Sequence, residues 1–211
     1  EKRKAIVTGS SSGIGKAITS ILLKSGADVI GLARDHKKFK PNFDRYFPIS
    51  LDLSDFEKIE SVIPQLLHQH SDIDVLICNA GHGDFQALEN FSSKQISKFI
   101  NLNLISHIIL CRHLVSYMKA KGNGDIIVIG SEASLAGKKK ATLYSAAKFG
   151  LRGFTQALRD ECSNTGVRVC LINPGFVRSS FFDSLNFKPG DAENNAICLL
   201  YTSPSPRDFT E

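Results

Sequence analysis

Short runs of consecutive apolar residues alternate along this chain with longer stretches in which apolar residues recur every three or four positions. The short runs predict buried β-strands, and the periodic stretches predict amphipathic helices. The predicted strands cover residues 4–8, 28–33, 46–51, 74–78, 125–130 and 167–172, and the predicted helices cover 13–25, 55–69, 94–121 and 142–165. Apolar strands separated by helices are typical of a parallel sheet with both faces covered. We therefore predict an α/β fold, a three-layer Rossmann arrangement around a doubly wound parallel sheet.

Composition agrees with a single globular domain. The chain has 211 residues, of which 42% are hydrophobic and 22% are charged, so it can bury a sizeable core and does not have the composition of a disordered chain. No run approaches the roughly 20 apolar residues of a membrane span. No signal peptide precedes the first predicted strand, so we expect a cytoplasmic protein.

The net charge of +5 is compatible with a nucleic-acid partner. The basic residues are mostly scattered, however, and no helix-turn-helix or RNA-binding signature occurs, so no nucleic-acid partner is predicted. A polyphosphorylated cofactor accounts equally well for the excess. The five cysteines show no C-x-x-C spacing and the histidines do not cluster, so we expect buried free thiols and no metal site.

The last residues of the chain differ in character from the rest. Residues 196–211 read AICLLYTSPSPRDFTE, and the Ser-Pro-Ser-Pro segment within them breaks regular structure. This stretch resembles translated adapter or vector sequence. We therefore expect an NAD(P)-binding Rossmann domain over residues 1–195 and a non-native tail over 196–211, with a genuine flexible tail as the alternative.

A glycine-rich turn follows the first predicted strand and opens the first predicted helix. Glycines allow a tight turn and a close approach of the backbone to a diphosphate, and the helix N-terminus adds N–H donors and partial positive charge. The alternative is a helix-entry turn with serine caps. The predicted cofactor contacts in this turn are Gly9, Ser11, Ser12, Gly13, Ile14 and Gly15.

The ends of the second and third predicted strands indicate which dinucleotide binds. Ala33 stands where a carboxylate would hold the ribose 2′-hydroxyl of NAD, and Arg34 follows with a guanidinium that suits a 2′-phosphate. We therefore predict NADP(H) in preference to NAD(H). The alternative is that Arg34 is solvated and Asp35 takes the ribose. Asp52 and Leu53 are predicted at the adenine, or else Asp52 caps the next helix.

Small residues follow the fourth predicted strand at Asn79, Ala80 and Gly81, where the cofactor ribose could lie close to the backbone. His82 comes next and is expected to line the substrate entrance. Asn103 lies within the long predicted helix. A buried asparagine needs partners, so Asn103 is a candidate to hold a water near a catalytic lysine, with a surface or capping role as the alternative and Asn101 as its rival by spacing.

A tyrosine and a lysine four positions apart carry the predicted chemistry. Tyr144 and Lys148 share one face of a helix, so we expect the ammonium to lower the pKa of the phenol and make Tyr144 a usable general acid/base. Ser131 lies thirteen positions upstream of Tyr144 and is predicted to hold the substrate oxygen, with Ser134 as the alternative.

A Pro-Gly turn follows the sixth predicted strand. We expect Pro174, Gly175, Val177 and Ser179 to cover the nicotinamide end of the cofactor; the alternative is an ordinary turn. Beyond it, aromatic and apolar residues between 179 and 188 suggest an apolar lid on the substrate pocket, or else they pack back on the fold.

These motifs, taken in order, resemble the short-chain dehydrogenase/reductase (SDR) family, and the likeness extends from about residue 4 to residue 192. The resemblance implies a Rossmann fold, NAD(P)-dependent oxidoreductase activity, and a homodimer or homotetramer for the full-length form. It also implies that the family's final helix and strand are missing here or replaced by the tail. The family's catalytic tetrad falls on Asn103, Ser131, Tyr144 and Lys148.

The sequence therefore predicts an NADP(H)-dependent enzyme that interconverts a carbonyl and a secondary alcohol by hydride transfer. The substrate is expected to be a small molecule, apolar in character. The alternative is a non-catalytic, NADP(H)-binding regulatory or redox-sensing protein. Three consecutive lysines, Lys138, Lys139 and Lys140, precede the catalytic tyrosine and are either a solvated loop or a means of steering an anionic substrate.

Overall fold

The computed structural model describes residues 2–37, 39–175 and 177. Within them, strands and helices alternate as predicted. The strands are β1 (Lys4–Thr8), β2 (Asp28–Ala33), β3 (Tyr46–Ser50), β4 (Val75–Cys78), β5 (Gly124–Ile129) and β6 (Val167–Ile172). The α-helices are α1 (Gly13–Lys24), α2 (Phe56–Gln69), α3 (Ser93–Ile100), α4 (Ser106–Lys121) and α5 (Thr142–Glu161). Ser179, the predicted lid and the tail over 196–211 lie outside these residues.

The six strands form one parallel sheet in the order β3-β2-β1-β4-β5-β6. This is the strand order of a doubly wound Rossmann sheet, which confirms the predicted fold class. The direction of winding reverses between β1 and β4. In such sheets the ligand crevice lies at that reversal, outside the carboxyl ends of the strands.

The central strands β1, β2 and β4 are mainly apolar because both faces of the sheet are covered there. Alternate residues of β1 serve different faces: Ile6 belongs to a core shared with α2, α4 and α5, whereas Ala5 and Val7 pack with Leu23 of α1. At the edge of the sheet, β3 is more exposed and contains Pro48, which an edge strand tolerates because one side needs no partner.

The predicted helix over residues 94–121 is wrong in one respect, because it is not a single α-helix. A π-helical turn, Asn101–Ile105, separates α3 from α4. A π turn inserts one residue into the helix and redirects the side chains on it, and such turns often lie at functional sites. The turn buries Asn103 and leaves Asn101 partly exposed. Of the two asparagines considered from the sequence, Asn103 is therefore the buried one.

The helix predicted over 142–165 ends earlier, at Glu161. Asn164 and Gly166 follow with φ of 61° and 79°, in the left-handed region that does not continue an α-helix.

The run Ser93–Lys121 is long and apolar enough, with a mean hydropathy of 1.3, to qualify by composition as a candidate membrane span. In the structure its most apolar face is used for packing within the protein. Leu110, Leu114 and Met118 are completely buried in the core on one face of the sheet. The α4 part of the run therefore contributes one face to the core of the fold.

Truncating a leucine of this core should destabilise the protein. We expect Leu114→Ala to lower the free energy of unfolding by about 2–5 kcal/mol, because it removes buried apolar contacts and leaves a cavity. The matched control is Leu88→Ala, since Leu88 is 47% exposed and should change stability by no more than about 0.5 kcal/mol. Urea unfolding followed by circular dichroism measures both, and equal effects would contradict the assigned core.

Candidate active site

A cleft with a volume of about 680 Å³ opens at the carboxyl ends of the strands, where the reversal of the sheet predicts a ligand site. Most of the residues selected from the sequence line it. From the predicted set, the wall contains Gly9, Ser12, Gly13, Ile14, Arg34, Asn79, Ala80, Gly81, Asn103, Ser131, Tyr144, Lys148, Pro174, Gly175 and Val177. Segments that are far apart in the sequence therefore meet at one edge of the sheet.

The glycine-rich turn has the geometry of a phosphate cradle. Gly9 and Gly13 have φ of 66° and 51°, which other residues adopt only with strain. A side chain at Gly15 would collide with the Gly9 carbonyl and the Asn79 amide. Ser12 is the N-cap of α1, but its side chain makes no capping hydrogen bond, contrary to the serine-cap alternative. The turn therefore fits a ligand diphosphate at the helix N-terminus.

Hydrogen bonds fasten the end of β1 to the end of β4 behind this cradle. The Thr8 hydroxyl oxygen accepts hydrogen bonds from the backbone N–H groups of Asn79 (2.8 Å) and Ala80 (2.9 Å). The Asn79 side chain donates in return to the Thr8 carbonyl at 2.9 Å. These bonds fix the two strand tips that flank the reversal of the sheet.

Arg34 lies exposed at the rim of the cleft, directly after β2. The loop that carries it is held by His36, whose two ring nitrogens contact the Tyr46 hydroxyl (2.9 Å) and the Ile49 carbonyl (3.0 Å). Neither His36 nor Tyr46 was selected from the sequence. These contacts join the loop after β2 to the edge strand β3, and the spacing of the residues in the sequence does not predict them.

Asp52 and Leu53 do not line the cleft wall. Asp52 accepts hydrogen bonds from the backbone N–H (2.9 Å) and the hydroxyl (2.7 Å) of Ser54, the arrangement expected of a residue that opens a turn. Burial acts to raise the pKa of Asp52, but the bonds from Ser54 and the charges of Arg34 and Lys98 together leave it below its usual value. Leu53 is buried in the core. Ser11 and Gly15 also lie off the wall.

Tyr144 and Lys148 lie side by side in the cleft on the first turns of α5. The Lys148 Nζ is 5.7 Å from the centre of the Tyr144 ring and donates a hydrogen bond to the Ile129 carbonyl at 2.9 Å. The Tyr144 ring also packs against Phe85, with 5.2 Å between ring centres. The tyrosine and the lysine thus share a helix face, as their spacing predicts.

The predicted direction of the Tyr144 pKa is wrong. Burial raises the pKa of Tyr144, and a hydrogen bond with Ser131 offsets only part of that rise. Lys148 is itself buried, and burial lowers its pKa to about 8. The spacing of the two residues gives their proximity but contains no information about how much water the folded protein removes from them.

Ser131 is positioned by a residue that the sequence reasoning missed. The side-chain oxygen of Asn173 accepts hydrogen bonds from the Ser131 backbone N–H (3.1 Å) and from the Ser134 hydroxyl (2.9 Å). Ser134 is therefore buried and engaged, which leaves Ser131 as the serine of the cleft wall. The signal was present in the sequence, because Asn173 directly precedes the Pro-Gly turn at the end of β6.

The oxygen and the nitrogen of the Asn103 amide each make one hydrogen bond to backbone. Its oxygen accepts from the His82 backbone N–H (3.1 Å), and its nitrogen donates to the Phe99 carbonyl (3.0 Å). A side chain at Gly81 would lie only 2.7 Å from that oxygen. Asn103 therefore holds the segment after β4 against the cleft. His82 lines the cleft as expected, and burial lowers the pKa of its imidazole.

His107, one helical turn after Asn103, is the clearest residue missed from the sequence. Its Nε2 lies 2.8 Å from the Ala80 carbonyl and is buried with it. Because a carbonyl only accepts, Nε2 carries the proton and donates this bond. Burial, and then the nearby charge of Lys148, lower the pKa of His107 to about 3. A neutral imidazole thus supports the strand tip next to the cradle.

We expect His107 to give the protein a measurable acid sensitivity. Because the folded protein keeps this imidazole neutral, the unfolded chain binds more protons between about pH 3 and the usual histidine pKa near 6.5. Stability should fall as the pH is lowered through that window, by up to about 1.4 kcal/mol per pH unit from this group.

The test compares unfolding of the wild type with His107→Gln and His107→Leu across that pH range. Glutamine keeps a donor for the Ala80 carbonyl and should remove only the pH dependence. Leucine leaves the carbonyl without a partner and should also lower the free energy of unfolding at pH 7 by about 1–3 kcal/mol. An unchanged pH slope in His107→Gln would show that His107 is not held neutral.

Comparisons with known proteins agree with this geometry. A family model described as short chain dehydrogenase matches residues 3–189. The 3-oxoacyl-acyl-carrier-protein reductase FabG of Buchnera aphidicola is 34% identical over 189 residues, which cover 88% of this chain and 78% of that protein.

Solved structures show the same relationship. A metagenomic short-chain oxidoreductase in complex with NADP is 33% identical, with a TM-score of 0.77 and 83% of each chain covered. A 4-hydroxyisoleucine dehydrogenase in complex with NADH and succinate is 27% identical, with a TM-score of 0.80, and the match covers 84% of this chain and 78% of that one. The fold, the cleft and these matches together place this chain in the short-chain dehydrogenase family of NAD(P)-dependent oxidoreductases.

Proposed function

We propose that this protein uses NADP(H) to interconvert a carbonyl compound and a secondary alcohol by hydride transfer. The observation that carries the proposal is the grouping of Ser131, Tyr144 and Lys148 in one cleft, with a hydrogen bond between the serine and the tyrosine and with the lysine buried beside them. A donor pair next to a buried cation suits the stabilisation and protonation of a developing alkoxide.

The cleft fits the proposed cofactor along its length. Gly9, Gly13 and Ile14 would hold the diphosphate, because the left-handed glycines bring backbone close to the ligand at the N-terminus of α1. The nicotinamide, when bound, supplies the hydride chemistry. We further propose cofactor contacts from the other predicted positions on the wall: Ser12, Asn79, Ala80, Gly81, Tyr144, Lys148, Pro174, Gly175 and Val177. Contacts from Ser11, Gly15, Asp52, Leu53 and Ser179 stay predictions.

In the reductive direction, Tyr144 donates its phenolic proton to the substrate oxygen and Ser131 donates a hydrogen bond to the same oxygen. The Ser131 oxygen already accepts from the Ala133 backbone N–H at 3.1 Å, so its hydroxyl proton is directed elsewhere. Lys148, with a pKa of about 8, is mainly protonated at pH 7 but can give up a proton at modest cost. It is therefore suited to restore the proton of Tyr144.

The role of Asn103 in this proposal is to support proton return through Lys148. Its amide is already bonded to the His82 N–H and the Phe99 carbonyl, so its first contribution is to fix the π-helical turn beside the lysine. The second oxygen lone pair remains available to a water.

A preference for NADP(H) is supported by the end of β2. Ala33 offers no carboxylate to a ribose hydroxyl, and the Arg34 side chain lines the rim of the cleft, where its guanidinium could pair with a 2′-phosphate. The solved relatives include complexes with NADP and with NADH, so the family alone does not decide the cofactor. A cytoplasmic location and a homodimeric or homotetrameric state stay predictions.

The first test replaces the proposed acid. We expect Tyr144→Phe to reduce ketone-dependent NADPH oxidation by at least about 10²-fold, because general acid catalysis is lost, while NADPH binding is retained. Tyr117→Phe is the matched control, since that hydroxyl is buried in the core away from the cleft wall. Absorbance at 340 nm with a panel of ketones measures turnover, and normal turnover by Tyr144→Phe would refute the assigned acid.

The second test concerns cofactor choice. We expect Arg34→Gln to weaken NADPH binding by roughly tenfold or more, the effect of losing about 1.5–3 kcal/mol from a charge-assisted hydrogen bond. Binding of NADH, which lacks the 2′-phosphate, should stay the same and serves as the internal control. Titration of nicotinamide fluorescence measures both, and an equal loss for the two cofactors would show that Arg34 does not read the phosphate.

A further inference from the structure

We infer that Lys138, Lys139 and Lys140, here called the lysine loop, recognise a phosphate group on the substrate at the mouth of the cleft. The inference rests on the proposed function and narrows its substrate class. It assigns the reaction to carbonyl compounds whose reacting carbon is linked to a phosphate-bearing tail.

Positive side chains outnumber negative ones on the described wall of this cleft. The described part of the wall contains five cationic side chains, from Arg34, Lys148 and the lysine loop, against a single carboxylate, from Glu132. The formal net charge of the whole chain is +5. Charges of one sign lining a cleft focus the electrostatic field there and raise the local concentration of ligands of the opposite sign.

The cationic groups lie at two separate ends of the cleft. Arg34 follows β2, whereas the lysine loop lies between β5 and α5, and β1 and β4 run between these two positions in the sheet. Three inter-strand spacings of about 4.8 Å separate β2 from β5 by roughly 14 Å. Arg34 can therefore serve the adenosine end of the cofactor, while the lysine loop shares a wall with Ser131 and Tyr144, where the substrate reacts.

The lysine loop is presented by ordered backbone. The Ala141 N–H closes a turn on the Lys138 carbonyl at 3.1 Å, and Ala141 itself is buried. Lys140 adopts a left-handed φ of 62°, an uncommon conformation for a residue other than glycine. The turn thus anchors three exposed side chains just before α5, with Ala141 between them and the helix.

None of these three lysines forms an ion pair with a carboxylate in the part of the chain that the structure describes. Other lysines do so, for example Lys4 with Asp72 at 2.8 Å. Among the described residues, the loop ammonium groups are thus positive charges without a counter-ion, on a wall that the substrate must approach. Lysine binds phosphate as a flexible point charge, which suits a mobile phosphate-bearing tail.

The test compares two substrates that share the same reacting ketone and thioester. Acetoacetyl-coenzyme A carries phosphate groups, and S-acetoacetyl-N-acetylcysteamine carries none. Three proteins are assayed with saturating NADPH: the wild type, Lys138→Gln/Lys139→Gln, and the control Lys24→Gln/Lys94→Gln. Both double variants remove two positive charges, but Lys24 and Lys94 are exposed residues of α1 and α3 outside the cleft wall.

We expect the wild type to favour the phosphate-bearing thioester in kcat/KM by about tenfold or more at low salt, with the preference shrinking as salt is added. The loop variant should lose most of this preference, and the control should keep it. All three proteins should reduce the uncharged thioester alike. No preference in the wild type, or an equal loss in both double variants, would overturn the inference.

A binding measurement separates this inference from the proposed function. Coenzyme A is titrated calorimetrically into each protein saturated with NADPH, which keeps the probe out of the cofactor site. The lysine loop predicts binding that weakens at least about fivefold in Lys138→Gln/Lys139→Gln and is unchanged in the control. Absent or unaltered binding overturns the inference, whereas failure of the proposed function would appear as NADPH that no ketone oxidises.

Discussion

The hydrogen bonds that tie the end of β1 to the end of β4 are the constraint on which the rest of the site depends. Thr8 receives the backbone N–H groups of Asn79 and Ala80, and the Asn79 amide reaches back to the Thr8 carbonyl. These bonds fix the two strands between which the winding of the sheet reverses. The glycine cradle can then pack so closely against Asn79 that Gly15 has no room for a side chain.

Further contacts connect this junction of β1 and β4 to the residues proposed to react. The Ala80 carbonyl accepts from His107 of α4, and the next residue, Gly81, packs on the amide of Asn103 in the π-helical turn. Lys148 is buried in the same cleft, and its Nζ donates a hydrogen bond to the Ile129 carbonyl at the end of β5. Burial then decides the electrostatics, because it lowers the pKa of both His107 and Lys148 and raises that of Tyr144.

Much of the fold and most of the cleft wall could be predicted from the sequence. The central strands are mainly apolar because both faces of the sheet are covered there. The glycine turn and the pair Tyr144 and Lys148 are recognisable by local spacing. Each of these features involves residues that are close together in the sequence, so the sequence alone is enough to predict it. The family likeness then orders them into one site.

What the sequence could not give depends on contacts between distant segments. The hydrophobic periodicity of residues 94–121 is unbroken and gives no sign of the π turn at Asn103. The amide of Asn103 bonds to His82, in the segment after β4, and to Phe99 of α3, and the contact with His82 cannot be read from local spacing. His107 is not recognisable from local spacing, because the Ala80 carbonyl that it supports lies 27 positions away in the sequence. The pKa of Tyr144 was predicted in the wrong direction because proximity was known and burial was not.

The central claim is that the side chains gathered at this junction serve hydride transfer to a carbonyl. The most direct measurement incubates the protein with NADPH dideuterated at C4 and a panel of ketones and analyses the alcohol products by mass spectrometry. The account predicts one deuterium on the new carbinol carbon of at least one product. A protein that binds NADPH but transfers no deuterium to any ketone of the panel would contradict it and would indicate a nucleotide-binding protein without turnover.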